Sequence, residues 1–176
     1  MAQAQRRATG VIGEGIVAGL VGAAVVALWY LAYDFAHGMP LRTPTLLGGV
    51  LFRGAASAPD AAEPSLVLAY SAVHLATFAL FGIGLAGLFA LADREPMVLF
   101  GVFMLLCCLQ VAFIVLLRAL AEWAFEPIPW WSILVANLLA TAGMLAVLLP
   151  RHRAAWRPWT GRRDPLDMPD PMTRRP

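Results

Sequence analysis

Four long apolar runs constrain this chain more than any other feature. They are "VIGEGIVAGLVGAAVVALWYLAY" (11–33), "SLVLAYSAVHLATFALFGIGLAGLFAL" (65–91), "MVLFGVFMLLCCLQVAFIVLLRALA" (97–121) and "WWSILVANLLATAGMLAVLL" (130–149). Each is near or above the roughly 20 residues that a helix needs to cross the hydrocarbon of a bilayer. None shows the apolar–polar alternation of a barrel strand. Prolines punctuate the ends of the runs: Pro64 opens the second, "ADREP" and "EPIPWW" precede the third and fourth, and Pro150 closes the last. Proline belongs at such boundaries, because inside a helix it removes a hydrogen bond and clashes with the preceding turn.

The expected fold is therefore all-α: an integral membrane four-helix bundle with both termini on the same side and a short interfacial helix in the first outer loop. Composition agrees. Of 176 residues, 60% are hydrophobic and 14% charged, whereas a soluble domain is about 45–50% apolar and about 25% charged. Residues 1–10 form a polar cytoplasmic N-terminus, 11–149 the membrane domain, and 150–176 an Arg/Pro-rich cytoplasmic tail expected to be disordered. The first run is too long for a signal-peptide core and has no small-residue cleavage site after it, so it reads as an uncleaved anchor.

Arginine sets the expected orientation. All 13 basic residues are Arg, which together with the richness in Ala, Leu and Gly points to a GC-rich bacterial genome. Ten of them fall in the N-terminus, the turn between the second and third runs, and the tail; the other three are Arg42, Arg53 and Arg118. The arginine-rich side of a membrane protein is cytoplasmic. The expected location is the bacterial cytoplasmic (inner) membrane, multi-pass, with both termini inside. Trp29, Tyr30, Tyr33, Trp123, Trp130 and Trp131 then form an aromatic belt at the outer interface. The expected partners are the lipid bilayer, anionic lipid beneath the tail, and other membrane subunits; no nucleic acid is expected. A tail arginine near an anionic surface contributes about 1 kcal/mol.

The first outer connection holds "YDFAHGMPLRTPTLLGGVLFRG" (33–54), which begins charged and turns apolar. Thr43 reads as a helix cap and Pro44 as the first helical residue. The ten or so residues that follow would reach about 15 Å, too short to cross, so the segment is read as returning to the outer interface. Residues 54–63 read as a flexible linker. Asp34, His37 and Arg42 surround a turn, and Arg118 and Glu122 lie four apart on one face of the third span. Two readings of these five fit: a self-satisfying interfacial charge network, or a ligand or ion site at the bundle mouth. The loop's charged start is further expected to lie as a lid over the His74 cluster, with Asp34, His37 and Arg42 reaching Arg118 and Glu122.

Within the spans, His74 lies nine residues past Ser65, about 13 Å into the bilayer. Tyr70, His74, Gln110 and Asn137 are expected to form a buried polar cluster, since polar groups in a span normally face the bundle interior. The cluster reads either as interhelical glue, at about 0.6 kcal/mol per hydrogen bond, or as a small ligand cavity. Glu14 reads as an interfacial charge, with a transport carboxylate as the alternative. Gly15, Ala18, Gly19, Gly22 and Ala23 make a small-residue face that permits close helix approach. Cys107 and Cys108 are adjacent, poorly placed for a disulfide, and read as packing residues. No catalytic residue, metal site or cofactor is expected; haem or quinone at His74 is the alternative.

The segments "GIVAGLVGAAVVALWYLAYD", "HGMPLRTPTLLGGVLF" and "HLATFALFG" resemble a group of small bacterial integral membrane proteins. That group has a Gly/Ala-rich first span and a P-x-x-T-P-x-x-L-G loop. The likeness covers roughly residues 15–85. It draws attention to Asp34, Pro40, Thr43, Pro44, Gly48 and His74, and implies no activity. The function expected from all this is a non-catalytic accessory or structural membrane component. The alternatives are a small-solute or proton transporter or channel, and a haem- or quinone-binding redox module.

Overall fold

A computed structural model gives the architecture of the protein. It describes residues 2–54, 62–121 and 128–152, with the backbone alone described at 2–8, 109, 113–114 and 116–121. Five helices follow in order: α1 (Ala2–Ala36), α2 (Arg42–Arg53), α3 (Pro64–Ala92), α4 (Met97–Ala121) and α5 (Trp130–Leu148). No strand occurs among the described residues. Three stretches are long and apolar enough to cross a membrane: Thr9–Ala36, Pro64–Ala92 and Trp130–Leu148. The described apolar part of α4 is the shorter Met97–Ala112.

Helix α1 runs past the polar N-terminal residues that the hydropathy pattern set apart from the first span. Polarity limits what can sit in hydrocarbon, but no proline stands between Ala2 and Ala36 to stop the helix. The Glu122 to Pro127 connection, the tail from residue 153, and most of the linker after Gly54 lie outside the described residues.

Helix α1 is the central element. Its small-residue face lies against α3 so closely that the two backbones touch. A Cβ on Gly19 would overlap the Phe78 carbonyl, and one on Gly82 would overlap the Gly15 carbonyl. Between helices in lipid, such close backbone approach replaces the hydrophobic drive available in water. On its other side α1 meets α5, where Val21 and Val25 pack at Gly143. The main core cluster joins Ala18, Leu85, Ala86, Phe89, Val102, Met144 and Leu148, with Val98, Leu99 and Leu106 packed against it. Helix α4 thus contributes to this core through its first half, up to Leu106.

Helix α2 lies across one end of this arrangement. Gly48 lets it approach α3: a Cβ there would be 2.8 Å from the Leu66 carbonyl oxygen. Leu46 packs with Ile128 and Ile133, tying α2 to the start of α5. At its end Arg53 pairs with Glu63. That contact, with a hydrogen bond from the Ser65 hydroxyl, holds the Glu63 carboxyl below the usual carboxylate range.

Candidate functional site

Asp34 closes the turn between α1 and α2. The chain reverses through Gly38 at φ 73° and Leu41 at φ 62°. This brings Thr43 back onto Asp34: the Thr43 N–H donates to Oδ2 at 2.8 Å and its hydroxyl to Oδ1 at 2.7 Å. The carboxylate is 3% exposed. It accepts two bonds at the positive end of α2, where a helix leaves its first N–H groups unpaired. The expectation that Thr43 is the cap is corrected here. Leu41 holds the N-cap position and makes no side-chain cap, so Asp34, from the preceding helix, does the capping. Thr45 adds a second tie, donating to the Leu41 carbonyl at 2.7 Å and accepting from the Glu63 N–H at 3.3 Å.

Two other charged residues of this end, His37 and Arg42, border the same space as Asp34. His37 is exposed, lies tilted against Tyr33 with ring centres 4.2 Å apart, and hydrogen-bonds the Tyr33 carbonyl at 2.8 Å. Arg42 is half-buried, and its Nε has no hydrogen-bond partner. Asp34, His37 and Arg42 share a small cavity of about 30 Å³ with Tyr33 and Ile128. Glu122 lies outside the described residues, as does the side chain of Arg118, although its backbone continues α4. Of the aromatic belt, Trp29 and Tyr33 meet Trp131 edge-on at 6.5 and 6.1 Å, and Trp29 donates to Ser132 at 3.0 Å. Trp123 lies outside the described residues.

The four expected cluster residues are divided between two cavities. Tyr70 and His74 line one of about 190 Å³, between α1 and α3 and beneath α2; Asp34, Thr43, Pro44 and Ser71 line it too. Here His74 Nε2 lies 3.2 Å from the Ala23 carbonyl. A carbonyl only accepts, so that nitrogen carries a proton and acts as the donor. Tyr70 stacks on one side of His74 at 5.8 Å, and Phe78 lies at 4.7 Å. Of the expected lid, Asp34 lines the His74 cavity together with Leu41, Thr43 and Pro44; its expected partners, Glu122 and the Arg118 side chain, lie outside the described residues.

Gln110 and Asn137 line a separate cavity of about 430 Å³ between α3, α4 and α5, with Thr77, Phe81 and Thr141. Gln110 Nε2 is buried and has no hydrogen-bond partner. The Thr141 hydroxyl donates back to the Asn137 carbonyl at 2.8 Å. Residues at equal depth on neighbouring helices thus face different spaces. Depth follows from sequence spacing, while the direction a side chain takes depends on how each helix is rotated in the bundle.

A third constellation lies at the opposite end of α1 and escaped the sequence reading. His152, 6% exposed, follows α5. Its Nδ1 is 2.6 Å from an Asp93 oxygen in the α3–α4 turn, and its Nε2 is 3.3 Å from a Glu14 oxygen on α1. The Glu14 contact has ion-pair distance without hydrogen-bond alignment, so Nε2 has no hydrogen-bond partner. The available signal was positional: each of the three residues stands near the end of an apolar run. Among the described residues, no group of three or more His, Cys, Asp or Glu has the arrangement of a metal site. Cys107 and Cys108 are exposed on α4 and are both free thiols. No family model, curated protein or solved structure matches the chain.

Proposed function

We propose that the protein is a multi-pass membrane component without catalysis of its own, an accessory subunit that completes its packing against a helix of another membrane protein. The observation that carries this reading is the Gln110 amide, buried without a partner in the cleft between α3, α4 and α5. A buried donor with no acceptor costs about 1–3 kcal/mol. A partner helix offering a carbonyl or side-chain oxygen at that depth would supply the missing bond. On this reading all four apolar runs cross a bacterial inner membrane, α2 lies in the outer interface, and the termini and tail arginines face the cytoplasmic lipid surface. The support is the distribution of arginine and the aromatic contacts around Trp131.

Native mass spectrometry of the protein, purified in mild detergent from its own membranes, tests the assignment. A stoichiometric membrane partner is expected, with its share of the complex falling several-fold in Gln110→Leu. A monomer carrying only lipid would overturn it.

The His74 cavity favours a second reading, a module for a small solute or a quinone head group. Its volume and its mixture of Tyr70, Ser71 and His74 with aliphatic walls suit a small amphipathic ligand. The backbone contact between α1 and α3 leaves no pore between those two helices. An absorption spectrum and lipid extract of the purified protein separate the readings. A bound chromophore that disappears in His74→Ala would favour the redox module.

A further inference from the structure

We propose that Glu14, His152 and Asp93 form a proton-binding site that holds His152 as imidazolium between two carboxylates and thereby fastens the end of α5 to α1 and to the α3–α4 turn. The argument begins with the two ring nitrogens. Nδ1 stands 2.6 Å from Asp93 Oδ2, and Nε2 stands 3.3 Å from Glu14 Oε2. Ionised carboxylate oxygens accept and do not donate, and a neutral imidazole carries one N–H. A neutral ring would therefore set a bare nitrogen lone pair against one of the two carboxylates. Protonation turns that repulsion into a second attraction.

The site is built rather than superficial. His152 is 6% exposed, and Phe89, 1% exposed, lies beside it with ring centres 5.8 Å apart. Three separate elements supply it: Glu14 from α1, Asp93 from the turn after α3, and His152 from the end of α5. The backbone of the histidine is also held, its N–H donating to the Leu148 carbonyl at 3.1 Å. The remaining charged groups of this end with described side chains, Arg94, Glu95 and Arg151, are exposed. The ligand is a single proton. Its loss would leave two carboxylates facing a neutral ring and loosen the last turn of α5.

The test is made on the full chain in detergent micelles, with 15N-labelled histidine. The His37→Asn variant supports assignment of the three rings. Nitrogen shifts of His152 over a pH series report imidazolium or neutral ring directly, and amide exchange of Leu148, Leu149, Arg151 and His152, corrected for intrinsic rates, reports the fastening. The expected result is an imidazolium signal that titrates as one step, with exchange of those amides rising about tenfold or more across the same step. Glu14→Gln and Asp93→Asn each move the step to lower pH, while His37→Asn leaves it in place. The proposal is overturned by a ring that is neutral throughout, by exchange that stays flat across the step, or by a step that neither carboxylate variant moves. Because each carboxylate variant keeps His152 and the size of its neighbour, the result does not depend on the folding of a His152 variant.

Discussion

Asp34 carries two hydrogen bonds in a place where an unpaired charge would be costly, and both go to one residue, Thr43. Bonds to a charged group are worth about 1.5–3 kcal/mol, and loss of a helix cap costs about 0.5–2 kcal/mol. Asp34→Ala is therefore expected to destabilise the protein by about 2–4 kcal/mol. Thr43→Val, which keeps the N–H bond, should cost about half as much, and Thr43→Ser little. Unfolding in detergent followed by circular dichroism checks the order. Equal stability of Asp34→Ala and wild type would show that the carboxylate is not the cap. Both residues stand out in the sequence, yet their relation does not. It depends on Leu41 and Gly38 taking left-handed conformations, which turn the chain so that residues nine apart meet. The Glu14–His152–Asp93 group was harder still to read. Charges beside apolar runs are expected there for solvation alone, and only the folded arrangement shows them facing one another.

The helices were the most legible elements, because a helix in hydrocarbon must be long, apolar and free of interior proline. The expected runs 65–91, 97–121 and 130–149 match α3, α4 and α5 to within a residue at each end. The contacts between helices were legible only in part. The small-residue face of α1 announced a close neighbour, but its position opposite Phe78, Ala79, Gly82 and Ile83 of α3 is a matter of register. Substitutions along the seam test it. Gly19→Ala and Gly82→Ala each place a methyl group into the opposing backbone, which cannot move aside as a side-chain tip can. Overpacking of this kind costs about 1–3 kcal/mol or more. Gly84, in contrast, has open space around it, so Gly84→Ala should be neutral or stabilising by up to about 1 kcal/mol through helix propensity. Denaturation in mixed micelles of increasing SDS content would rank the three. Similar behaviour at Gly19 and Gly84 would place the helix contact elsewhere.

At the scale of the whole molecule, the opposed ends of α1 carry different chemistry: a buried carboxylate cap under α2 at one end, and a histidine between two carboxylates at the other. On the proposed topology, with the arginine-rich side inside, the second end faces the cytoplasm. A reporter fused after residue 60 is expected outside and one fused at residue 176 inside. Both on one side would mean that the number of crossings is not four. The seam between α1 and α3 also bears on biogenesis. It joins segments that are made before α4 and α5, so this close backbone contact is available to form before the second half of the chain is synthesised. Residues up to the α3–α4 turn are then expected to act as a platform to which α4 and α5 are added. A chain divided at that turn and expressed as two pieces would meet at an interface already shaped on one side.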